Sequence, residues 1–263
     1  MITSLSNDKI KHVISLRDKK RVRDEENLFI TEGIKLFEDA PENMTVEVYL
    51  TGAFLRDLSN DNRNDLLEKL ESTGFEEVTD KVMAKMSGTV TPQGIMCVMK
   101  KPEYSLDDLI GDVPLLVVLE RLQDPGNLGT IMRSSEGAGA TGVIMSGDCV
   151  DLFGPKAVRS TMGSVFRVPF LYSRDVMKDI IRLKKAGVRV FGTSPEGRSV
   201  YSRCDYGGGT AFIIGNESAG MSEEAKKISD DLISIPMGGE LESLNAGVSA
   251  SILLYEARRQ RTG

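Results

Sequence analysis

The sequence predicts an α/β protein in which a mostly parallel sheet occupies the C-terminal half. From about residue 115 onward, short apolar strand patterns alternate with helix patterns. Residues 1–105 hold only 5 of the 26 glycines, so the turns needed by such a fold also concentrate in the second half. Alternating strands and helices imply a sheet that is covered by helices on both faces. We therefore predict two domains, residues 1–105 and 106–263, which divide just after the charged and proline-containing stretch at 100–103.

The first half predicts a small α/β domain. Its helix patterns cover residues 33–38 and 65–71, and its strand patterns cover residues 46–49 and 94–99. The pattern contains no grouping of acidic, nucleophilic or metal-binding side chains. We therefore expect no catalytic site in this domain.

The second half shows eleven alternating elements. Strands are predicted at 115–119, 143–145, 167–171, 188–192, 211–214 and 232–235, and helices at 127–138, 155–161, 174–185, 222–228 and 244–261. Asn127 suits the N-cap of the first of these helices. Ligands of such sheets bind beyond the carboxyl ends of the strands, so the loops that follow strands are the candidate functional segments.

Composition excludes several classes of protein. The net charge of −6 excludes a protein that is basic throughout, and no apolar run approaches the length of a membrane span. The first residues contain no apolar signal core, and the three cysteines are scattered, so we expect free thiols in a reducing cytoplasm. A single histidine, His12, and the absence of a ligand cluster argue against a metal site.

One segment is basic despite the overall acidity. Between residues 9 and 23, seven cations face one acid, Asp18, and a weak apolar stripe predicts an amphipathic helix. The cations are Lys9, Lys11, Arg17, Lys19, Lys20, Arg21 and Arg23. Such a helix is either a solvated surface or a contact for nucleic-acid phosphates.

A glycine-rich stretch at 137–142 matches the dinucleotide pattern G-x-G-x-x-G letter for letter. That pattern binds pyrophosphate only where it follows a strand and opens a helix. Here it closes a helix and precedes a strand, so we interpret it as a turn. A metabolic enzyme with an ordinary nucleotide-binding fold remains an alternative.

Three loops that follow predicted strands could carry chemistry. The first runs from Glu120 through Asn127 toward Arg133, and the second is Gly215-Asn216-Glu217-Ser218-Ala219-Gly220. The third begins at Ile235-Pro236-Met237 and ends at Ser243-Leu244-Asn245. Each could be an ordinary capped turn when taken alone, but their order and spacing together are far more specific.

In that order and spacing, the three loops resemble the three motifs of the SpoU (TrmH-like) family of RNA 2′-O-ribose methyltransferases, which belongs to the SPOUT superfamily. The resemblance covers about residues 113–261. The first half resembles the small substrate-binding domain of that family, which is of the ribosomal-protein L30e type. The resemblance implies a deep trefoil knot in the C-terminal domain, a homodimer and S-adenosylmethionine as the cofactor.

Transferred motif by motif, the resemblance implies functional roles. The implied catalytic residues are Arg133, Asn127, Glu217, Ser243 and Asn245, and Arg133 is also expected to contact RNA. The implied cofactor residues are Thr193, Gly215, Asn216, Glu217, Gly220, Ile235, Met237, Ser243, Leu244 and Asn245. A free guanidinium keeps its proton far above neutral pH, so Arg133 could also hold a phosphate or stabilise the developing alkoxide.

The RNA substrate stays open at this point. Large ribosomal RNA is favoured over tRNA. A SPOUT-fold RNA-binding or ribosome-assembly protein without catalytic activity is an alternative, against which the complete set of motif residues argues. We expect no membrane association.

Overall fold

The computed structural model describes all 263 residues and divides by its internal contacts into two units. The first unit contains residues 1–102 together with residues 153–166, and the second contains residues 103–152 and 167–263. A short segment of the glycine-rich half therefore folds as part of the N-terminal unit. The charged side chains of this segment therefore belong to the N-terminal unit.

The first unit is built on a four-stranded sheet. Its elements are α1 (Asp8–Asp18), α2 (Lys20–Glu26), β1 (Leu28–Glu32), α3 (Ile34–Asp39), β2 (Thr45–Thr51), α4 (Gly52–Asn60), α5 (Asn64–Thr73), β3 (Glu76–Val78), α6 (Asp80–Ser87) and β4 (Ile95–Lys100). The strand order is β1–β4–β2–β3, with β4 antiparallel to both neighbours and β3 parallel to β2. The small α/β domain is present, although the sequence patterns did not reveal α4, β3 and α6.

The basic segment forms two helices rather than the single helix that the sequence predicted. The backbone is extended at Lys19, which ends α1 and precedes α2. The apolar stripe itself is confirmed, because Ile10, Val13 and Leu16 are fully buried against side chains of α6. The interruption turns the cations of α2 away from the direction that one continuous helix would give them.

The second unit contains the predicted parallel sheet. Its elements are α7 (Leu106–Leu109), β5 (Leu115–Leu119), α8 (Pro125–Ala138), β6 (Gly142–Ser146), β7 (Phe170–Ser173), α10 (Val176–Lys185), β8 (Arg189–Thr193), β9 (Ser199–Val200), β10 (Thr210–Ile214), α11 (Glu223–Ile228), β11 (Asp231–Ser234) and α12 (Ala246–Thr262), while α9 (Pro155–Thr161) belongs to the first unit. The seven strands lie in the order β7–β6–β5–β10–β8–β11–β9, and every neighbouring pair is parallel.

The backbone changes one local prediction and confirms another. The strand expected at 167–171 begins only at Phe170, directly after Pro169, which has no N–H to donate to a sheet ladder. The glycine-rich stretch at 137–142 ends α8, since Gly139 caps that helix in the left-handed conformation with φ of 74°. The stretch is therefore a helix C-terminus, as predicted.

Helices cover both faces of the parallel sheet. On one face, α10 and α11 pack on the central strands, and Val118 and Ile213 lie in the buried core there. On the other face, α8 and α12 pack against each other and α12 crosses β10 and β5. All five residues of β5 and all five of β10 are buried, which explains their continuous apolar sequences.

The strand order also brings distant loops together. The strands β5, β10, β8 and β11 are consecutive neighbours in the sheet, although β5 and β10 are separated by more than 90 residues in the chain. Because all of them are parallel, the loops that follow them leave the same edge of the sheet.

Replacing Val118 with Ala should reduce the free energy of unfolding by about 2 kcal/mol, because it removes two buried methyl groups and leaves a cavity. Val113→Ala is the matched control, since Val113 is 51% exposed and its loss should cost under about 0.5 kcal/mol. Urea denaturation of both variants checks this. Equal losses would show that the core is not organised around β5.

Candidate active site

A cavity of about 840 Å³ opens at the carboxyl ends of β8, β10 and β11. It is lined by all ten residues that the sequence assigned to cofactor binding: Thr193, Gly215, Asn216, Glu217, Gly220, Ile235, Met237, Ser243, Leu244 and Asn245. These residues come from the loop after each of the three strands and from the approach to α12. The structure therefore gathers separate segments of the chain around one space.

The loop between β10 and α11 closes on itself. An ideal Cβ on Gly215 would lie 2.3 Å from the carbonyl carbon of Gly220, so only glycine allows the two backbones to approach this closely. Gly220 has a φ of +66°, and its backbone exchanges hydrogen bonds with Asn216 in both directions. The Asn216 side-chain oxygen accepts bonds from the amides of Ser218 and Ala219. The two glycines thus form a sharp bend.

Glu217 projects from this bend and joins it to the loop after β5. Its carboxylate accepts hydrogen bonds from the Asp124 amide at 3.0 Å, from the Gln123 amide at 3.2 Å and from Asn127 Nδ2 at 3.1 Å. Partial burial opposes ionisation of this carboxyl group, but the bonds from Asp124 and Asn127 outweigh it and hold its pKa below the ordinary 4.5. Glu217 is therefore ionised at neutral pH, and its carboxylate binds the backbone amides of Gln123 and Asp124 and the side chain of Asn127.

Asn127 and Asn245 continue the connection. Asn245 Nδ2 donates to Asn127 Oδ1 at 2.7 Å, and Asn245 Oδ1 accepts bonds from the Gly247 and Val248 amides at the start of α12. One chain of hydrogen bonds therefore runs from Glu217 through both amides to a helix N-terminus. Of the five implied catalytic residues, three share this chain and Ser243 lines the same cavity.

The expected N-cap role of Asn127 is wrong. Asp124 caps α8, with its carboxylate accepting the Asn127 amide at 2.8 Å, and Pro125 occupies the first turn. Proline at the first helical position favours a helix start two residues earlier than predicted. This frees the Asn127 side chain, which is 7% exposed, to link Glu217 and Asn245.

A second link between the same loops was not identified from the sequence. Glu120 directly follows β5, is 5% exposed, and accepts the Ser222 amide at 2.8 Å through Oε2. Ser222 is the N-cap of α11, so Glu120 fixes the far end of the bend that Glu217 holds in the middle. The available signal was an acidic residue placed immediately after a fully apolar strand.

Arg133 stands apart from the cavity. It is exposed on α8 and makes no hydrogen bond or ion pair in the structure. Six residues separate it from Asn127, which in a helix corresponds to about 9 Å along the axis and roughly 120° around it. The cavity of a single chain therefore lacks the guanidinium that the motif assigns to it.

Most cations of the basic segment are already paired. Lys9 contacts Glu76, Lys11 contacts Asp8, Lys20 contacts Asp24, and Arg21 contacts Glu25. Arg17 bonds to Asp18 and to two carbonyl groups, and Arg23 is buried and donates to backbone oxygens. Only Lys19 makes no such contact. The structure does not present these side chains as one free basic stripe.

The cavity has a mixed chemical lining. Ile233, Ile235 and Leu253 provide apolar surface. The lining also holds three acidic residues (Glu196, Glu217 and Glu242) and one cation, Lys226, which pairs with Glu223. A flat apolar group together with a positively charged group would suit this lining. No group of three or more His, Cys, Asp or Glu side chains is placed to hold a metal ion, and no helix is long and apolar enough to cross a membrane.

Comparison with known families gives two matches along the chain. Residues 114–255 match the model of the SpoU rRNA methylase family, and residues 7–97 match the model of the MRM3-like substrate binding domain. The first match contains all three loops and the whole cavity.

Individual relatives agree with these matches. The chain is 30% identical over 259 residues to the 23S rRNA (guanosine(2553)-2′-O)-methyltransferase RlmP of Bacillus subtilis, covering 98% of both chains. The structure of the AdoMet-bound rRNA methyltransferase from Sinorhizobium meliloti superposes with a TM-score of 0.85 at 32% identity, covering 100% of this chain and 98% of that one. The AdoMet complex of the SpoU methyltransferase AviRb from Streptomyces viridochromogenes gives a TM-score of 0.82 at 28% identity, covering 97% and 98% of the two chains.

Replacing Glu217 with Gln should lower the free energy of unfolding at neutral pH by about 1 kcal/mol. The N–H₂ group of the glutamine would face backbone N–H donors, and hydrogen bonds to water would replace the lost ones only in part. The pKa of Glu217 is lowered by folding, so its stabilising contribution is complete above pH 4.5 and is lost as the pH falls further. The gap in melting temperature between wild type and variant should therefore narrow below pH 4.5.

Thermal unfolding between pH 3.5 and pH 7.5 measures that gap. Glu42→Gln is the control, since Glu42 is exposed and its carboxylate makes no hydrogen bond. A gap that stays constant across this pH range would exclude an ionised, hydrogen-bonded Glu217.

Proposed function

Because the chain belongs to the SpoU rRNA methylase family, we propose that it transfers a methyl group from S-adenosylmethionine to a ribose 2′-hydroxyl of RNA, with large-subunit ribosomal RNA as the substrate. The observation that carries this proposal is the single cavity surrounded by residues of separate motifs and joined by the Glu217–Asn127–Asn245 chain. The ribosomal substrate is supported by relatives such as RlmP, whose names specify 23S rRNA.

The cavity fits S-adenosylmethionine in size and in charge. The apolar side chains Ile233, Ile235 and Leu244 suit an adenine ring, and the backbone beside them offers hydrogen bonds to its edge. The carboxylates of Glu196 and Glu242 suit the positive charges of the sulfonium and ammonium groups. The bound cofactor supplies an activated methyl group, which leaves the protein to align the acceptor oxygen and to manage its proton.

The remaining residues would act on the RNA sugar. Ser243 and Asn245 would line the path of the methyl group, while Asn127 and Glu217 would hold the surrounding loops in place. Arg133 would remain protonated, because guanidinium groups keep their proton at neutral pH. In that state it would stabilise the developing 2′-alkoxide or hold the adjacent phosphate.

The organisation of the whole molecule is part of the proposal. Residues 106–263, apart from the segment at 153–166 that folds with the first unit, would form the methyltransferase domain with a deep trefoil knot, and residues 1–105 would form an L30e-like RNA-binding domain. The enzyme would act as a homodimer, since the cavity of one chain contains no arginine while Arg133 is exposed elsewhere. Three free cysteines and an RNA substrate fit a cytoplasmic location.

Transfer of tritium from labelled S-adenosylmethionine should occur to protein-free 23S rRNA and not to tRNA. In this assay, Arg133→Ala should lower kcat by at least about 100-fold, because a charge that stabilises the reacting oxygen is lost. Its affinity for S-adenosylmethionine, measured by calorimetry, should stay within about twofold of wild type, because Arg133 does not line the cavity of its own chain and is expected to act on the RNA rather than on the cofactor. Activity of Arg133→Ala close to that of wild type would contradict the role assigned to Arg133. Labelling of tRNA alone would show that tRNA, and not 23S rRNA, is the substrate.

Mixing two inactive variants tests whether the dimer completes the site. If Arg133 acts in the cavity of the other subunit, Arg133→Ala and Asn245→Ala should complement each other and restore about a quarter of wild-type activity after random dimerisation. The control mixes Arg133→Ala with the double variant Arg133→Ala/Asn245→Ala, which should stay inactive. If the first mixture also stays inactive although dimers exchange subunits, Arg133 does not work across the dimer.

A further inference from the structure

An acidic protein that binds RNA needs a local surface of uncompensated positive charge. The chain carries a net charge of −6, and most cations of α1 and α2 are neutralised by acidic partners. Lys19 alone of that segment makes no hydrogen bond or ion pair through its side chain, so the attraction for phosphate requires cations from other segments as well. In the N-terminal unit, the exposed lysines Lys85 and Lys156 lie on the helices whose residues hold the loop at residues 88–91, between α6 and β4.

Arg17 lies at the base of this loop. Its Nη1 donates to the carbonyl oxygens of Lys85 at 2.8 Å and Met86 at 3.0 Å, and it would lie 2.7 Å from a Cβ placed on Gly88. Lys85 is exposed and makes no ion pair. Asp18 bonds to Arg17, and both Lys85 and Lys19 are close enough to act on its charge and help lower its pKa.

The other side of the loop is held by Glu32. Ser87 Oγ donates to Glu32 Oε1 at 2.6 Å, and Arg159 Nη1 lies 3.6 Å from Glu32 Oε2. The Glu32 side chain is 6% exposed, whereas that of Arg159 is 39% exposed. The carboxylate therefore fixes Arg159 from the inside and leaves other guanidinium donors facing outward. Lys156, one helical turn before Arg159 on α9, is exposed and unpaired.

The charge balance of this region is clearly positive. Five cations stand against two acids, Asp18 and Glu32, and one of these acids is buried. The five cations are Arg17, Lys19, Lys85, Lys156 and Arg159. Thr91 adds an exposed hydroxyl group. Lysine, arginine and hydroxyl groups are donors that proteins use to contact the sugar-phosphate backbone.

We propose that these five cations and the loop at residues 88–91 form a binding surface for the phosphate backbone of the RNA substrate. The proposal rests on the proposed function and locates the RNA contact at the C-terminal end of α1, at α6 and at α9, rather than along the whole length of α1 and α2. It also gives the segment at 153–166 a role: it carries two cations from the glycine-rich half of the sequence into the N-terminal unit.

The double variant Lys85→Ala/Lys156→Ala tests this surface, because both lysines are exposed and their removal leaves the Glu32–Arg159 pair intact. Lys100→Ala/Lys227→Ala is the matched control, with the same loss of charge at two exposed, unpaired lysines elsewhere. Filter binding of protein-free 23S rRNA is measured for each protein between about 50 and 300 mM salt.

The Lys85→Ala/Lys156→Ala variant should bind RNA about tenfold more weakly at 0.1 M salt, and its salt slope should be smaller by roughly 1.5, as expected for two lost phosphate contacts. Its kcat at saturating RNA and its affinity for S-adenosylmethionine should equal those of wild type. The control should match wild type throughout.

Equal RNA affinity and equal salt slope for the two double variants would overturn the surface while leaving the proposed function intact. Absence of both RNA binding and methyl transfer in wild type would instead overturn the proposed function, and this surface with it.

Discussion

The direction of one hydrogen-bond chain constrains the candidate active site. A carboxylate can only accept, so Glu217 requires the N–H₂ group of Asn127 to face it, and the Asn127 oxygen must then face the N–H₂ group of Asn245. The Asn245 oxygen is left to accept the first free amides of α12. Both ends of the chain are fixed, one by the acceptor-only carboxylate and the other by donor-only helix amides. No amide can be turned over without leaving a mismatched pair, so the three loops hold a single arrangement.

The sheet is what brings these groups within reach. Because β5, β10, β8 and β11 are parallel neighbours, the loops after them share one edge, and short side chains suffice to connect segments that are distant in sequence. Glu120 and Glu217 then fix two points of the same bend, at the Ser222 amide and at the Asp124 amide. A glycine at 215 lets the ends of that bend touch. The cavity wall is thus backbone held by carboxylates, which can stay rigid while side chains around it adapt to a ligand.

Sequence patterns predicted much of this second unit because its elements are long or strongly apolar. Continuous apolar runs such as 115–119 and 211–214 are typical of buried parallel strands, and both are confirmed. The resemblance to a family placed ten residues, which the structure finds around one cavity. Predictions failed where a neighbouring residue competed for the same role: Asp124 replaced Asn127 as the cap of α8. They were incomplete where the outcome depended on tertiary partners: cations of α1 find acids such as Glu76, far away in the chain, so the sequence could not show which charges are paired.

The difference between the charge in a sequence and the charge that stays unpaired has a general physical cause. A run of cations in a sequence reports how much charge is present, but the field outside the protein depends on how much of it remains after pairing. On α2, Lys20 and Arg21 each have an acid four residues later, which is the spacing at which helical side chains meet, so their charge is largely cancelled locally. Lys85 and Lys156 have no such neighbour and stand on separate helices, where no sequence run reveals them. The attraction that a surface exerts on a polyanion depends on its unpaired charge, so a run of cations in the sequence does not by itself locate that surface.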